Sequence, residues 1–405
     1  MKRFGMWFSV FLMTAPLFKM YTLVSGITMA DGLLALFFLG GLFLLAQKKK
    51  FRVNWLFLLY ACLVLFQFVL VSLWNRTDEF LFSDVLFRTL RYTFFLLVLA
   101  VLVPNFFQEE TAVKTMEAVA VFATVWLLLQ KGLLAATGRY LPGYLPGLSL
   151  SRPEMAEHAA VLFQYDPRPR SIFEEPSHYA FYMLMAMAYL LGKPRLTRRE
   201  QGLLWFGGLG IILSASSTGV IALAALLGIW LFFSGGKTRR RALLSALLLL
   251  PFAGILLWRI PAFQVFLERM AKGASSSQHL GAYGVLLTLR QNPFSIFLGN
   301  GMIDTTTHGF LPGYCRLYYY YGVVGLVLVG SLLFYLVWYV KKEYRYMGIL
   351  FLILCVSGTE LFGIQVFLIV PFLELSEAVK EPKARPLWNL AEADGGGLWK
   401  KKGLY

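Results

Sequence analysis

WLFLLYACLVLFQFVLVSLW, residues 55–74, is a run of 20 residues without a charged side chain. A helix rises about 1.5 Å per residue, so a run of this length crosses the roughly 30 Å hydrocarbon core of a bilayer. Backbone groups that face lipid must be hydrogen-bonded within the segment, which favours a helix for a long continuous run. The stretch therefore predicts a transmembrane helix.

The composition of the whole chain agrees with this interpretation. Of its 405 residues, 58% are hydrophobic and only 15% are charged, and the mean hydropathy is +0.64. A net charge of +16 would suggest nucleic acid in a soluble protein, but cytoplasmic loops of membrane proteins carry excess lysine and arginine. We therefore expect an all-α, polytopic membrane protein without a nucleic-acid partner.

The apolar stretches predict about 12 transmembrane helices in a single domain, residues 1–379. The first follows Met1-Lys2-Arg3 and lacks a small-residue cleavage site, so it is interpreted as an uncleaved helix rather than a signal peptide. Residues 380–405, with three consecutive glycines, predict a flexible cytoplasmic tail. The expected spans are 5–25, 28–46, 54–74, 82–103, 115–137, 177–192, 201–214, 217–234, 243–260, 314–340, 346–358 and 360–377.

Clusters of basic residues orient these helices. Each cluster follows an even-numbered predicted span, so all lie on one side, which the positive-inside rule assigns to the cytoplasm together with both termini. Two long segments, residues 138–176 and 261–313, then face outward, and segments of this length are usually functional. The basic clusters are Lys48 to Arg52, Lys193 to Arg199, Lys237 to Arg241, and Lys341 to Arg345.

Arginine dominates the basic residues of the predicted outer side, with 9 arginines against 2 lysines. The planar guanidinium group binds phosphate through two parallel hydrogen bonds. The arginines therefore indicate a site for an anion such as a pyrophosphate. The alternative is that they reach lipid headgroups or pair with outer acids.

The densest group of chemically active side chains is RPRSIFEEPSHYA, residues 168–180. Pro176 suits the first turn of the sixth predicted helix. Glu174 and Glu175 have a structural interpretation as helix-start acids paired with nearby arginines, since the helix dipole stabilises carboxylates there. For Glu175 a functional role is favoured, because a carboxylate at the membrane edge costs free energy and is seldom found there without a role.

A second group spans the turn Leu298 to Gly301, then His308, then the tyrosine run 318–321. A neutral histidine is a natural general base near neutral pH, which makes His308 a candidate for that role. The alternative is that His308 only packs against its neighbours. The tyrosines predict an aromatic belt at the membrane interface. For Tyr319, stacking of its ring against a sugar of the substrate is an alternative. The serine-rich turn 214–218 is expected to satisfy backbone groups. The sequence has no D-x-D, H-E-x-x-H or Cys/His cluster, so no metal or cofactor is expected.

Residues 168–180 resemble the R-x-x-S-x-F-x-E-P-S-x-x-A pattern of bacterial O-antigen and capsule polymerases, the Wzy family. Residues 298–301, His308 and 321–326 look like an outer-loop signature shared by O-antigen polymerases and ligases, and 213–219 is similar to a serine-rich turn of that group. Two residues depart from these patterns. Ser217 stands where arginine is common, and Gly309 stands where asparagine is common.

The resemblance implies a GT-C-like glycosyltransferase of the bacterial inner membrane. It would join polyprenyl-pyrophosphate-linked oligosaccharides, as donor and acceptor, outside the membrane, by inversion and without metal, to make O-antigen, capsule or exopolysaccharide. A flippase and a chain-length regulator would be partners. In this scheme Arg168, Arg170 and Arg290 bind pyrophosphate, Ser177 and Tyr319 contact substrate, and Glu175 or His308 is the base, with His178 a weaker third.

Two other functions compete with this interpretation. A ligase of the same group would move finished polysaccharide to another acceptor, although the Glu-Pro-Ser segment favours a polymerase. A transporter or flippase is a different class, which often shows internal repeats. No such repeat is visible in the sequence.

Overall fold

The fold is taken from a computed structural model, and helices dominate it. Predicted span 243–260, Arg290, His308 and the tail 380–405 lie outside the residues that the structure describes. The described residues are 1–24, 26–48, 51–74, 80–139, 141–145, 147–151, 168–233, 286, 293–304, 311–356, 358 and 360–378.

The helices follow the apolar stretches of the sequence. A short antiparallel hairpin, β1 (Thr22–Val24) and β2 (Ile27–Thr28), connects the first two helices. The described helices are α1 (Lys2–Phe18), α2 (Met29–Ala46), α3 (Trp55–Trp74), α4 (Phe82–Phe106, with a π turn at Val98–Leu102), α5 (Glu109–Thr137), α6 (Pro176–Gly192), α7 (Arg198–Leu213), α8 (Ser217–Phe233), α9 (Pro293–Leu298), α10 (Gly313–Tyr339), α11 (Lys342–Leu354) and α12 (Val370–Ala378).

Among the described residues, five helices are long and apolar enough to cross a membrane, namely α2, α3, α4, α5 and α10. Helix α8 is apolar but shorter. These features support an all-α membrane protein.

The first and the last predicted spans differ most from the structure. The expected span 5–25 ends as a helix at Phe18, because the chain turns into the hairpin, where Gly26 adopts a left-handed φ of +81°. The expected span 360–377 is two 3-10 turns, Glu360–Phe362 and Ile364–Leu368, followed by α12. Extended backbone at Gly363 separates the two turns and prevents one continuous helix.

Helix α6 is the centre of the described bundle. Every residue from Tyr179 to Leu190 is buried, and α5, α7, α8 and α11 pack around it. Small residues allow this close approach: a Cβ atom at Gly219 would lie 2.4 Å from that of Ala180. The segment 168–180 therefore ends in the most enclosed of the described helices.

The basic clusters that follow α2, α6 and α10 share one end of the bundle, called here the basic end. This confirms, for the described clusters, that they lie on a common side. The contacts that join these elements are Arg52 with Asn105, Phe107 with Phe372, Phe372 with Tyr189 and Tyr344, and Gly192 with the backbone of Glu343.

The opposite end carries β1 and β2 and is called here the hairpin end. The described parts of both long segments lie there, away from the basic clusters. The contacts that join them are the backbone bonds of Thr22 with Ser149, Ser151 with Met20 and Gly313 with Gly358, and the ion pairs of Lys19 with Glu174, Arg91 with Asp31 and Arg88 with Asp304.

Helix α10 is broken at Gly322, whose φ of +63° and ψ of −161° are not helical. The break leaves the carbonyls of Tyr319 and Tyr320 available to the turn after α9. Asn300 N donates to Tyr319 O at 2.9 Å, and Gly301 N donates to Tyr320 O at 3.1 Å. Irregular backbone beside this break in an apolar helix is thus paired with other protein groups, as apolar surroundings require.

We expect Gly322→Ala to destabilise the protein. A Cβ atom there would lie 2.4 Å from the backbone of Phe297, and the left-handed φ adds about 1–3 kcal/mol of strain. The melting temperature of the detergent-purified variant should fall. Gly330→Ala is the matched control, because its Cβ meets nothing within 4 Å and alanine is favoured in a helix by about 1 kcal/mol. Equal melting temperatures for the two variants would contradict the role of the break.

Candidate functional site at the hairpin end

The segment before α6 is fixed to α5 at Ser171. Ser171 is fully buried with a left-handed φ of +56°, a conformation that persists only when the surroundings impose it. Its amide donates to Gln130 Oε1 at 2.8 Å, and its hydroxyl donates to Ala123 O at 2.5 Å. Gly143 approaches so closely that a Cβ atom there would lie 1.8 Å from Ser171 O. These contacts give the segment a single path across α5.

Phe173 fixes the same segment to the central helix. It is 2% exposed, and its ring lies 5.4 Å from that of Tyr182 and 6.1 Å from that of Tyr179, measured between centroids. Its amide donates to Arg170 O at 3.1 Å, which closes a tight turn. The turn brings the polar residues of the segment to the N-terminus of α6.

A charged cluster forms around Glu174, which is 12% exposed on its side chain. Its Oε2 atom lies 4.0 Å from Lys19 Nζ and 3.7 Å from His178 Nδ1. Arg170 Nη1 donates to the backbone carbonyl of Glu174 at 3.2 Å. The structural interpretation of Glu174 thus gains support from the lysine and the histidine beside its carboxylate, and its pairing with nearby arginines stays a prediction.

Glu175 is the residue immediately before α6. It is half-buried, and the Ser177 hydroxyl donates to its Oε2 atom at 3.1 Å. Its backbone carbonyl accepts hydrogen bonds from the amides of His178 and Tyr179. A carboxylate in this position can accept a proton from a bound hydroxyl group, and the positive end of the helix dipole stabilises its charged form.

The N-terminus of α8 lies beside that of α6, because Gly219 and Ala180 are in contact. In the turn before α8, Ser214 Oγ donates to Ile211 O at 2.7 Å and Gly219 N donates to Ser216 Oγ at 3.1 Å. This confirms, for Ser214 and Ser216, the predicted role of the turn in satisfying backbone groups. Two helix N-termini, each partially positive, thus lie side by side near the segment that carries Arg170, which favours anion binding.

The tyrosine run lies in a different part of the hairpin end, on α10. Tyr319, Tyr320 and Tyr321 are only 2–6% exposed. The expected aromatic belt at the lipid surface is therefore wrong for these three, because the broken segment of α10 packs inside the bundle and Tyr320 and Tyr321 lie against Phe362. Contact between Tyr319 and a sugar stays a prediction.

Two arginines of α4 form ion pairs at the hairpin end. Arg88 bridges Asp84 at 3.1 Å and Asp304 at 2.7 Å. Arg91 lies 2.9 Å from Asp31, which caps α2. The spacing of Asp84 and Arg88 by four residues was a readable signal. The other pairings join segments that are distant in the sequence, and no sequence signal indicated them.

Lys19 and Glu174 should stabilise each other. Lys19→Met and Glu174→Gln each remove one member of the pair, and the double variant should lose less stability than the sum of the singles, by about 0.5–1 kcal/mol. Unfolding of the purified protein in detergent measures this coupling. Strictly additive losses would show that the 4.0 Å contact contributes nothing.

The site therefore offers arginines, carboxylates, a hydroxyl and an imidazole beside two helix N-termini. Within the described part of the chain, no group of three or more His, Cys, Asp or Glu residues is arranged to hold a metal ion. No model of a known protein family matches the chain, and no curated protein matches it significantly.

Proposed function

We propose that this protein is a glycosyltransferase of the bacterial inner membrane that joins polyprenyl-pyrophosphate-linked oligosaccharide units on the outer face. One observation carries the proposal. The segment 168–178 gathers Arg170, Glu175, Ser177 and His178 at the N-terminus of the enclosed helix α6, at the end of the bundle opposite the basic clusters.

The leaving group in this reaction is a pyrophosphate, and the site can bind it electrostatically. Arg168 and Arg170 belong to the segment fixed at Ser171, and Arg170 Nη1 reaches the backbone carbonyl of Glu174, just before the N-terminus of α6. Preorganised positive groups stabilise charge that develops on a leaving oxygen without further rearrangement. Arg290 is proposed as a third phosphate ligand.

The reaction also needs a base. The acceptor hydroxyl gives its proton to Glu175 or His308, and its oxygen attacks the anomeric carbon with inversion. The bond from that carbon to the phosphate oxygen breaks, and the lipid pyrophosphate leaves with the electron pair. Ser177, hydrogen-bonded to Glu175, is placed to orient the carboxylate. His178, a weaker candidate, lies against Glu174.

The proposal requires the hairpin end to face outward. Leu23, which is 59% exposed on β1, and Arg195, which is exposed at the basic end, suit labelling of an introduced cysteine in a Cys62→Ala background, where the two remaining cysteines, Cys315 and Cys355, are buried. We expect Leu23→Cys to react with a membrane-impermeant maleimide in intact spheroplasts. Arg195→Cys should react only after permeabilisation. The reverse pattern would leave the site without access to its substrate.

Elongation of a lipid-linked repeat unit by the purified protein, with metal chelated, tests the chemistry. If Glu175 is the base, Glu175→Gln should lower the rate at least about 100-fold, the usual size of general-base catalysis. Arg168→Ala should weaken donor binding about 10-fold, the effect of one charge-assisted contact. Glu110→Gln, at an exposed acid paired with Lys114 on the basic end, is the control and should change neither value.

Several outcomes would contradict the proposal. Full elongation by Glu175→Gln and Arg168→Ala alike would remove these residues from the site. Transfer of finished polymer to a non-repeat acceptor, without elongation, would identify a ligase. Uptake of a solute into liposomes without any glycan product would identify a transporter.

A further inference from the structure

We infer that two buried glutamines, Gln67 and Gln130, are positioning residues for the proposed site, and this inference rests on the proposed function. Each lies in a helix that is long and apolar enough to cross the membrane, α3 and α5 respectively. Each binds the backbone of one outer segment through its side-chain amide.

Gln130 closes the base of the first outer segment. Its side chain is fully buried, and Nε2 donates to Leu141 O at 2.9 Å and to Ser171 O at 3.1 Å. Its Oε1 atom accepts from the amide of Ser171 at 2.8 Å. One side chain thus joins the two described ends of the segment, and the residue it holds is three positions from Arg168 and four from Glu175.

Gln67 does the same for the second segment. It is 9% exposed, and its Nε2 atom donates to Leu298 O at 2.8 Å and to Tyr320 O at 2.9 Å. Leu298 is the last residue of α9, and Tyr320 precedes the break in α10. The bonds therefore fix both sides of the stretch that contains Asp304 and the candidate base His308.

A glutamine suits this task for a chemical reason. Its amide is neutral, and one NH₂ group donates to two carbonyls at once, whereas an aliphatic residue of similar length donates to none. Polar side chains are rare in apolar spans, so two glutamines with the same bonding pattern indicate a shared role. A third buried glutamine, Gln365, is 4% exposed, and its Oε1 atom has no hydrogen-bond partner among the described residues. It provides a matched control.

The test compares Gln130→Met, Gln67→Met and Gln365→Met in the purified protein. First, Ser171→Cys in the Cys62→Ala background places a thiol at a fully buried position. We expect Gln130→Met to raise its rate of maleimide labelling at least tenfold, because the segment leaves α5. Gln67→Met and Gln365→Met should leave this rate unchanged.

Second, elongation kinetics separate positioning from stability. We expect Gln130→Met and Gln67→Met each to raise KM for the lipid-linked donor at least tenfold at unchanged protein abundance, while Gln365→Met behaves as wild type. An unchanged KM in both Gln130→Met and Gln67→Met would overturn the inference. Equal effects of all three substitutions on KM would also overturn it. If Gln130→Met does not accumulate, Gln67→Met decides alone.

The two proposals fail in different ways. If the wild-type protein forms no elongated product, the proposed function is wrong, whereas thiol labelling still shows whether Gln130 holds the segment. If wild type elongates and the glutamine variants label and react normally, only the positioning role is wrong.

Discussion

Burial of α6 on every face from Tyr179 to Leu190 is the constraint on which the described structure depends. A helix enclosed on all sides has one environment at every face, so its rotation and depth are set by packing rather than by lipid. Its neighbours approach through glycines such as Gly210 and Gly219. The packing of α6 also fixes the residues that directly precede its N-terminus. A short, irregular segment can therefore hold charged groups in a defined arrangement.

The hairpin end shows how irregular backbone is accommodated next to apolar helices. Left-handed residues occur there at Ser171, Ala215, Gly299 and Gly322, and the segments around them are paired with side chains or backbone of other elements. Each unpaired backbone group in such surroundings costs free energy comparable to a lost hydrogen bond. The end of the bundle with the most unusual backbone is thus also the one where polar side chains reach inward from the helices.

Much of the helical layout could be predicted from the sequence, because length and apolarity alone decide which segments cross a bilayer. The position of Pro176 at a helix start and the common side of the described basic clusters were also readable. The hairpin at 22–28 was not, since three of its five strand residues, Leu23, Val24 and Ile27, are as apolar as a helix end. Nor were the pairs Lys19–Glu174, Arg88–Asp304 and Gln130–Ser171, because they join residues far apart in the chain and depend on how helices rotate against one another.

The backbone bond between Thr22 and Ser149 has a consequence for biosynthesis. About 130 residues separate the two partners, so β1 emerges from the ribosome about 6 to 25 s before the strand edge it bonds can exist, at roughly 5–20 residues per second. During that interval the first two helices are inserted with the hairpin end incomplete. Maturation of this face is therefore a late event, and a nascent chain arrested before α5 would expose that edge to quality-control proteases.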